Sequence, residues 1–263
     1  MKVLISMVPL FQLMVVGLPA DSERILVVIP SRLSSSRLPR KILSNIHGKP
    51  MVYWTYIRAL STQVGDVIVA VDSEEVETEL KSLGLKTIMT DTACENGTER
   101  VYEVSTKLKE YNFFLNIQAD EPLLNLSVIK KIAKTKRDNN SFIVAISDCQ
   151  GGENMSEVKV ALSLENRIRF ASRGGIPRNR DGKSKYYKIH GVYLYSRPVL
   201  QKYVSCEPGP LEILEKVEQL RCIEHDIPLI GVITPATERS VDTIEDLEYI
   251  RSFPLEAFNG SLE

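Results

Sequence analysis

Between Pro30 and Lys41 the chain reads Pro-Ser-Arg-Leu-Ser-Ser-Ser-Arg-Leu-Pro-Arg-Lys, which places Arg32, Arg37, Arg40 and Lys41 within twelve residues and no acidic residue among them. Such a cluster seeks anions. It follows an apolar, β-branched run over residues 24–29, and loops beyond the carboxyl ends of parallel strands are where open α/β sheets bind ligands. Four cationic side chains, serine hydroxyls beginning with Ser31, and backbone N–H groups together suit a triphosphate. A solvated basic loop is the alternative for any run of charge; the position behind the first buried strand and the serines favour binding. Neither G-x-G-x-x-G nor G-x-x-x-x-G-K-[ST] occurs, so dinucleotide-binding and Walker-type sites lose their main support.

The second concentration is Asn116-Ile-Gln-Ala-Asp120-Glu121-Pro122, where an apolar segment ends in two carboxylates and a proline. Magnesium is usually held by one or two carboxylates plus phosphate oxygens and water, so Asp120 opposite a triphosphate loop is a suitable ligand. A strand-terminating turn explains the same residues equally well. A distant acid, Asp242, directly precedes the last apolar-periodic segment. Residue types alone favour it as the helix N-cap, with Glu245 completing a capping box.

Positioning these groups requires a layered α/β framework. Apolar runs at 24–29, 66–71 and 86–90 alternate with helical periodicity at 50–60 and 73–83, a βαβαβ rhythm. It continues through a helix at 97–111, a strand at 112–118, a helix at 127–136 and a strand at 142–147, giving a parallel sheet wrapped by helices. The rhythm then changes. Residues 158–172 read as a hairpin turning at Glu165 and Asn166, 189–196 as a strand, 210–225 as one long helix, 228–234 as a strand, and Thr243 to about Arg251 as a last helix. No linker or repeat divides residues 24–263, which read as one domain. With 33 Lys and Arg against 34 Asp and Glu the net charge is −1, so nucleic acid and other polyanions are not expected partners. A content of 43% hydrophobic and 25% charged residues excludes disordered, collagen-like and coiled-coil classes. Four scattered cysteines and three histidines leave little material for a zinc site or disulfide framework. Residues 1–23 are an apolar extension open to three readings: a weak export signal, a membrane-proximal anchor, or a segment upstream of the folding unit. The third is favoured, because nucleoside triphosphates are found inside cells. The expected setting is therefore cytoplasmic, with membrane contact only through residues 1–23 if they are retained.

Seven segments in order carry a resemblance: IPSRLSSSRLPRK, Asn96-Gly-Thr-Glu-Arg100, NIQADEP, Phe170-Ala-Ser-Arg173, HGVYLY, PGPLEILEKVEQLR and SVDTIEDL. Together they resemble the 3-deoxy-manno-octulosonate cytidylyltransferases, the CMP-Kdo synthetase family, from Ile25 to about Arg251. The resemblance implies a nucleotide-diphospho-sugar transferase-like α/β fold, a three-layer α/β/α arrangement with a mainly parallel central sheet and a mixed-strand elaboration in the second half, usually as a homodimer. It implies conversion of CTP and a 2-keto acid sugar to a CMP-sugar and pyrophosphate. Ser31, Arg32, Arg37 and Lys41 then fall on triphosphate-binding positions, and Asn96, Gly97 and Arg100 on a segment near the nucleotide. Asp120 and Asp242 fall on magnesium carboxylates, with two ions expected, and Arg37, Lys41, Asp120 and Asp242 form the expected catalytic set. Gln118, Arg173, Tyr193 and Glu218 fall on positions that contact the acidic sugar. One ion would bridge the nucleotide phosphates, and another, between the two aspartates, would lower the pKa of the attacking sugar hydroxyl.

The second half departs most from the family's pattern. Its His-Leu-Gly-Ile-Tyr appears as Ile189-His190-Gly191-Val192-Tyr193, a one-residue displacement that in a regular strand moves the histidine to the other face. Its Ile-Pro-Trp-Asp-Arg appears as Ile176-Pro177-Arg178-Asn179-Arg180. In the nucleotide half, Gly and Pro around the loop lysine become Arg40 and Ile42, and the Gly before the Asp-Glu-Pro becomes Ala119. The acceptor could accordingly be Kdo or a close relative. Two other functions compete: a metal-dependent glycosyltransferase, which would use a D-x-D motif that Asp120-Glu121-Pro122 lacks, and a catalytically silent nucleotide-binding module.

Overall fold

A computed structural model describes residues 24–34, 38–149, 154–178 and 186–259. Their strands are β1 (Ile25–Ser31), β2 (Asn45–Ile46), β3 (Lys49–Pro50), β4 (Asp66–Val71), β5 (Thr87–Met89), β6 (Phe113–Ile117), β7 (Phe142–Cys149), β8 (Lys159–Leu162), β9 (Ile168–Ser172), β10 (Tyr186–Ser196) and β11 (Leu229–Ile233). The helices are α1 (Met51–Ser61), α2 (Glu74–Ser82), α3 (Gly97–Lys107), α4 (Leu126–Lys134), α5 (Arg197–Val204), α6 (Pro210–Glu215), α7 (Gln219–Glu224) and α8 (Ile244–Arg251). Within the described residues one sheet runs in the order β11-β7-β10-β6-β1-β4-β5, with β8 joined to β10 and β9 to β8. Neighbours along that order are parallel except β10, which is antiparallel to both β6 and β7.

Both faces of the sheet are covered, because successive side chains of an apolar strand point to opposite sides. In β1, Val27 and Ile29 join the core made with α1, α2 and α4. Leu26 and Val28 join the core made with α3, α5 and α7. A third cluster packs α8 and Phe258 against Trp54 and Met51 at the start of α1. The expected three-layer α/β/α fold with a mixed second half is what these contacts build. The hairpin turns where expected, with Asn166 at φ 59°. Tyr53, Trp54 and Tyr56 serve helix packing, and Trp54 donates its indole N–H to the carbonyl of Ile46 at 2.8 Å.

Three expectations are corrected. Residues 210–225 form two short helices, because Lys216 takes a left-handed conformation with φ 52° that ends α6. In one continuous helix Glu212 and Arg221 would stand about 13 Å apart along the axis. The break lets them meet in a double hydrogen bond of 2.7 and 2.8 Å. The cap of α8 is Thr243 paired with Asp246, not Asp242 with Glu245. The helix expected over 97–111 ends at Lys107. Helix α5 and the β2–β3 hairpin went unread in the sequence.

Candidate active site

The basic loop leaves β1 at Ser31, whose buried hydroxyl donates to the carbonyl of Ile29. Its path is fixed from below: the Leu33 N–H donates to Asp72 Oδ1 at 2.9 Å, and Asp72 Oδ2 receives Arg100 at 3.1 Å. Arg100 is buried and also donates to Thr90 and the Asp91 carbonyl. Its guanidinium therefore braces the loop through Asp72, while the residue also lines the cavity that Asn96 and Gly97 border. Arg40 is the other departure: it stands at φ 56° and pairs with Glu75 of α2, an acid that the local sequence does not supply. Arg37 lies outside the described residues. Arg32 is exposed and lines a cavity of about 350 Å³ with Asn96, Gly97, Arg100 and Glu218.

Lys41 turns in the opposite direction. Its ammonium lies 2.6 Å from Asp120 Oδ2 and 3.1 Å from Asp242 Oδ1, although the two acids are 122 positions apart in the chain. The backbone explains how they meet: the Val241 N–H donates to the Asp120 carbonyl at 2.9 Å, and Val241 is fully buried. Because Thr243 and Asp246 cap α8, Asp242 is left to accept from Lys41. Burial disfavours the ammonium, but Asp120 and Asp242 outweigh it, so the Lys41 pKa is raised.

A second cavity of about 350 Å³ adjoins the first, and Gln118, Arg173, Lys216 and Glu218 line both. Gln118 sits between glycines. A Cβ on Gly97 would stand 2.9 Å from its Nε2, and one on Gly191 would stand 2.7 Å from its Cγ. Its amide donates to Asn116 Oδ1 at 3.3 Å, and Asn116 donates to the Tyr195 hydroxyl at 2.6 Å. Asn96 is the N-cap of α3, accepting from the Glu99 N–H at 2.9 Å. Tyr193 and Glu218 both line the second cavity. Burial pushes the Glu218 carboxyl up to about 7. Arg173 gives four of its N–H bonds to backbone carbonyls of Met155, Ser156, Glu215 and Lys216, so its expected contact with the sugar has little donor capacity left.

Glu121 went unread as a site residue. It is buried, accepts from the Gly191 N–H at 3.2 Å through Oε1, and among the described residues has no partner at Oε2. Burial and then the nearby Asp120 push its pKa up to about 8. Its only signal in the sequence was adjacency to Asp120. The one-residue displacement of the histidine does not simply exchange faces, because β10 has a register shift between Ile189 and Tyr193. Ile189 and His190 both border the second cavity. His190 is buried, bonds Ser147 Oγ at 2.7 Å, and has its pKa lowered to about 4 by burial.

Residues 26–229 match the sequence profile of the cytidylyltransferases. The chain belongs to the cytidylyltransferase family. Among its relatives, the 3-deoxy-manno-octulosonate cytidylyltransferase of Tolumonas auensis is 37% identical over 242 residues, covering 86% of this chain and 95% of the relative. That of Neisseria meningitidis serogroup B is 34% identical over 243 residues, covering 86% and 96%. A solved structure of CMP:2-keto-3-deoxy-manno-octonic acid synthetase complexed with CTP superimposes with a TM-score of 0.81 at 35% identity, covering 87% of this chain and 97% of that one. An inositol-1-phosphate CTP transferase from T. maritima, at 14% identity and TM-score 0.63, shares the fold. The family resemblance read from seven segments is thereby borne out.

One ion-pair network in this cytidylyltransferase ties α3, α6 and α7 together. Arg221 holds Glu212, reaches Glu99 in the first turn of α3 at 3.1 Å, and lies over the Tyr203 ring. Removing one partner of a buried pair leaves the other charge uncompensated. Arg221→Leu is expected to cost about 3–5 kcal/mol of folding stability, read by denaturant unfolding. A loss below about 1 kcal/mol would mean that the network carries little weight.

Proposed function

We propose that this protein transfers the cytidylyl group of CTP to a 2-keto acid sugar of the 3-deoxy-manno-octulosonate type. The oxygen of the anomeric hydroxyl attacks the α-phosphorus and releases its proton to solvent, the bond from the α-phosphorus to the oxygen that bridges to the β-phosphorus breaks, and pyrophosphate leaves with that oxygen and its negative charge. The observation that carries the reading is the Lys41 ammonium seated between Asp120 and Asp242, two acids that line the second cavity. One cation already sits where two hard-oxygen donors converge, so this donor set fits magnesium. Asp120 and Asp242 would hold it, and a bound ion would supply charge neutralisation on phosphate oxygens.

The chain's own groups divide the remaining work. Arg32, Arg37 and Lys41 bind the triphosphate, Ser31 anchors the start of their loop through its bond to the Ile29 carbonyl, and the cations oppose the charge that grows on the departing pyrophosphate. Asp72 and Arg100 keep the basic loop beside the start of α3, where Asn96 and Gly97 border the nucleotide. Gln118, Tyr193, Glu218 and the Arg173 segment receive the acidic sugar. Residues 24–263 act as one domain, in a cytoplasmic homodimer. No helix of the described residues is long and apolar enough to cross a membrane.

The test is pyrophosphate release across a panel of nucleoside triphosphates and 2-keto acid sugars. CTP with 3-deoxy-manno-octulosonate should give the largest rate. Release of nucleoside mono- or diphosphate from a nucleotide sugar would instead mark a glycosyltransferase. Metal-dependent CTP binding with no turnover on any acceptor would mark a silent binding module.

A further inference from the structure

Lys159 has no exposed surface, and no step of the proposed reaction uses it. A buried ammonium is costly unless its three donors are met. Here all three go to backbone carbonyls: those of Asn154, Glu157 at 3.1 Å and Arg173 at 2.8 Å. Arg173 adds two more bonds, donating to the carbonyls of Met155 at 3.2 Å and Ser156 at 3.3 Å. Four consecutive carbonyls, from residue 154 to residue 157, are thus held by two cationic side chains. The next carbonyl, that of Val158, accepts the Ile189 N–H of β10 at 2.9 Å.

This stapled segment is a wall of the second cavity, which Asn154, Ser156, Glu157 and Val158 line together with Arg173. None of those four loop residues lines the first cavity, beside Arg32 and Asn96. Glu157 is aligned in turn by Lys188, whose ammonium lies 2.6 Å from its Oε1. Strand pairing sets the staple, since Lys159 stands opposite Ser172 on β9 and Lys188 on β10. A methyl group in place of the ammonium would take that donor from the Glu157 and Arg173 carbonyls and leave the Asn154 carbonyl with only the Glu157 N–H at 3.2 Å, so the segment would lose the side chain that ties its two ends to β9.

We propose that Lys159 is a positioning residue for the acceptor: it never touches substrate, but fixes the 154–157 wall and the Arg173 backbone against which an acidic sugar is bound. The inference rests on the acceptor reading above. The experiment is steady-state pyrophosphate release by Lys159→Met, varying 3-deoxy-manno-octulosonate at saturating CTP and then CTP at saturating sugar. The acceptor KM should rise at least tenfold while the CTP KM stays within threefold. Equal changes in both constants, or no change in either, would overturn the proposal. Should Lys159→Met fail to fold, Lys159→Gln, whose shorter amide keeps two donors, takes its place under the same criteria. A wild-type protein that turns over no acidic sugar defeats the acceptor reading, whereas an active wild type whose variant shows no split between the two constants defeats only the role of Lys159.

Discussion

Asp120→Asn should lower CMP-sugar formation at saturating CTP and acceptor by at least about a hundredfold, the scale on which loss of a preorganised electrostatic element is felt. The substitution keeps the shape of the side chain and removes its charge. Lys41 would retain Asp242 at 3.1 Å, and the Asp120 carbonyl would still accept from Val241. Folding should therefore change by only about 1 kcal/mol, the worth of one hydrogen bond in a partly solvated place. Turnover and thermal midpoint measured on the same preparation separate the two effects. A variant that retains more than a tenth of wild-type turnover would remove Asp120 from the reaction and with it the reading of the site.

The nucleotide half was readable because its signals are local. A basic loop behind an apolar strand and an acid at the end of another are both visible without knowing the fold. What joins them is not local: Asp242 reaches Asp120 through a backbone hydrogen bond from Val241 that no spacing rule foretells. The cap of α8 shows the limit sharply. Asp242-x-x-Glu245 and Thr243-x-x-Asp246 are overlapping capping boxes one residue apart, and sequence offers no means of choosing between them. In the fold Thr243 takes the cap with Asp246, and the Asp242 carboxylate meets Lys41, a partner 201 positions away in the chain.

In the acceptor half the signals were present but misdirected. The apolar period from 210 to 225 runs unbroken through Lys216, because a left-handed residue need not be glycine when the turn it makes brings Arg221 onto Glu212. Lys159 reads as one charge in a strand, and only the burial of its ammonium among carbonyls shows what it holds. The register shift in β10 likewise defeats an argument from strict alternation, placing both Ile189 and His190 beside the cavity.

Lys41→Met carries the second large effect, and its value is that two readouts should move in opposite directions. The ammonium stands where the site gathers negative charge, and its raised pKa keeps it protonated at neutral pH. Without it the departing pyrophosphate loses a cation that the site supplies before reaction, so kcat/KM for CTP should fall by about a hundredfold or more. In the nucleotide-free protein, however, Lys41 competes with any divalent cation for the same two carboxylates. Its removal should make magnesium bind more tightly, and a ligand that binds the folded state stabilises it by RT ln(1 + L/Kd), L being its free concentration, so tighter binding shows as a larger stabilisation. The variant should unfold at lower temperature than wild type without metal, because Asp120 and Asp242 then face each other uncompensated. Adding magnesium should raise its midpoint by more than it raises the wild type's. A variant with wild-type kcat/KM would take Lys41 out of phosphate binding. A midpoint indifferent to magnesium in both proteins would show that the two aspartates converge on lysine alone.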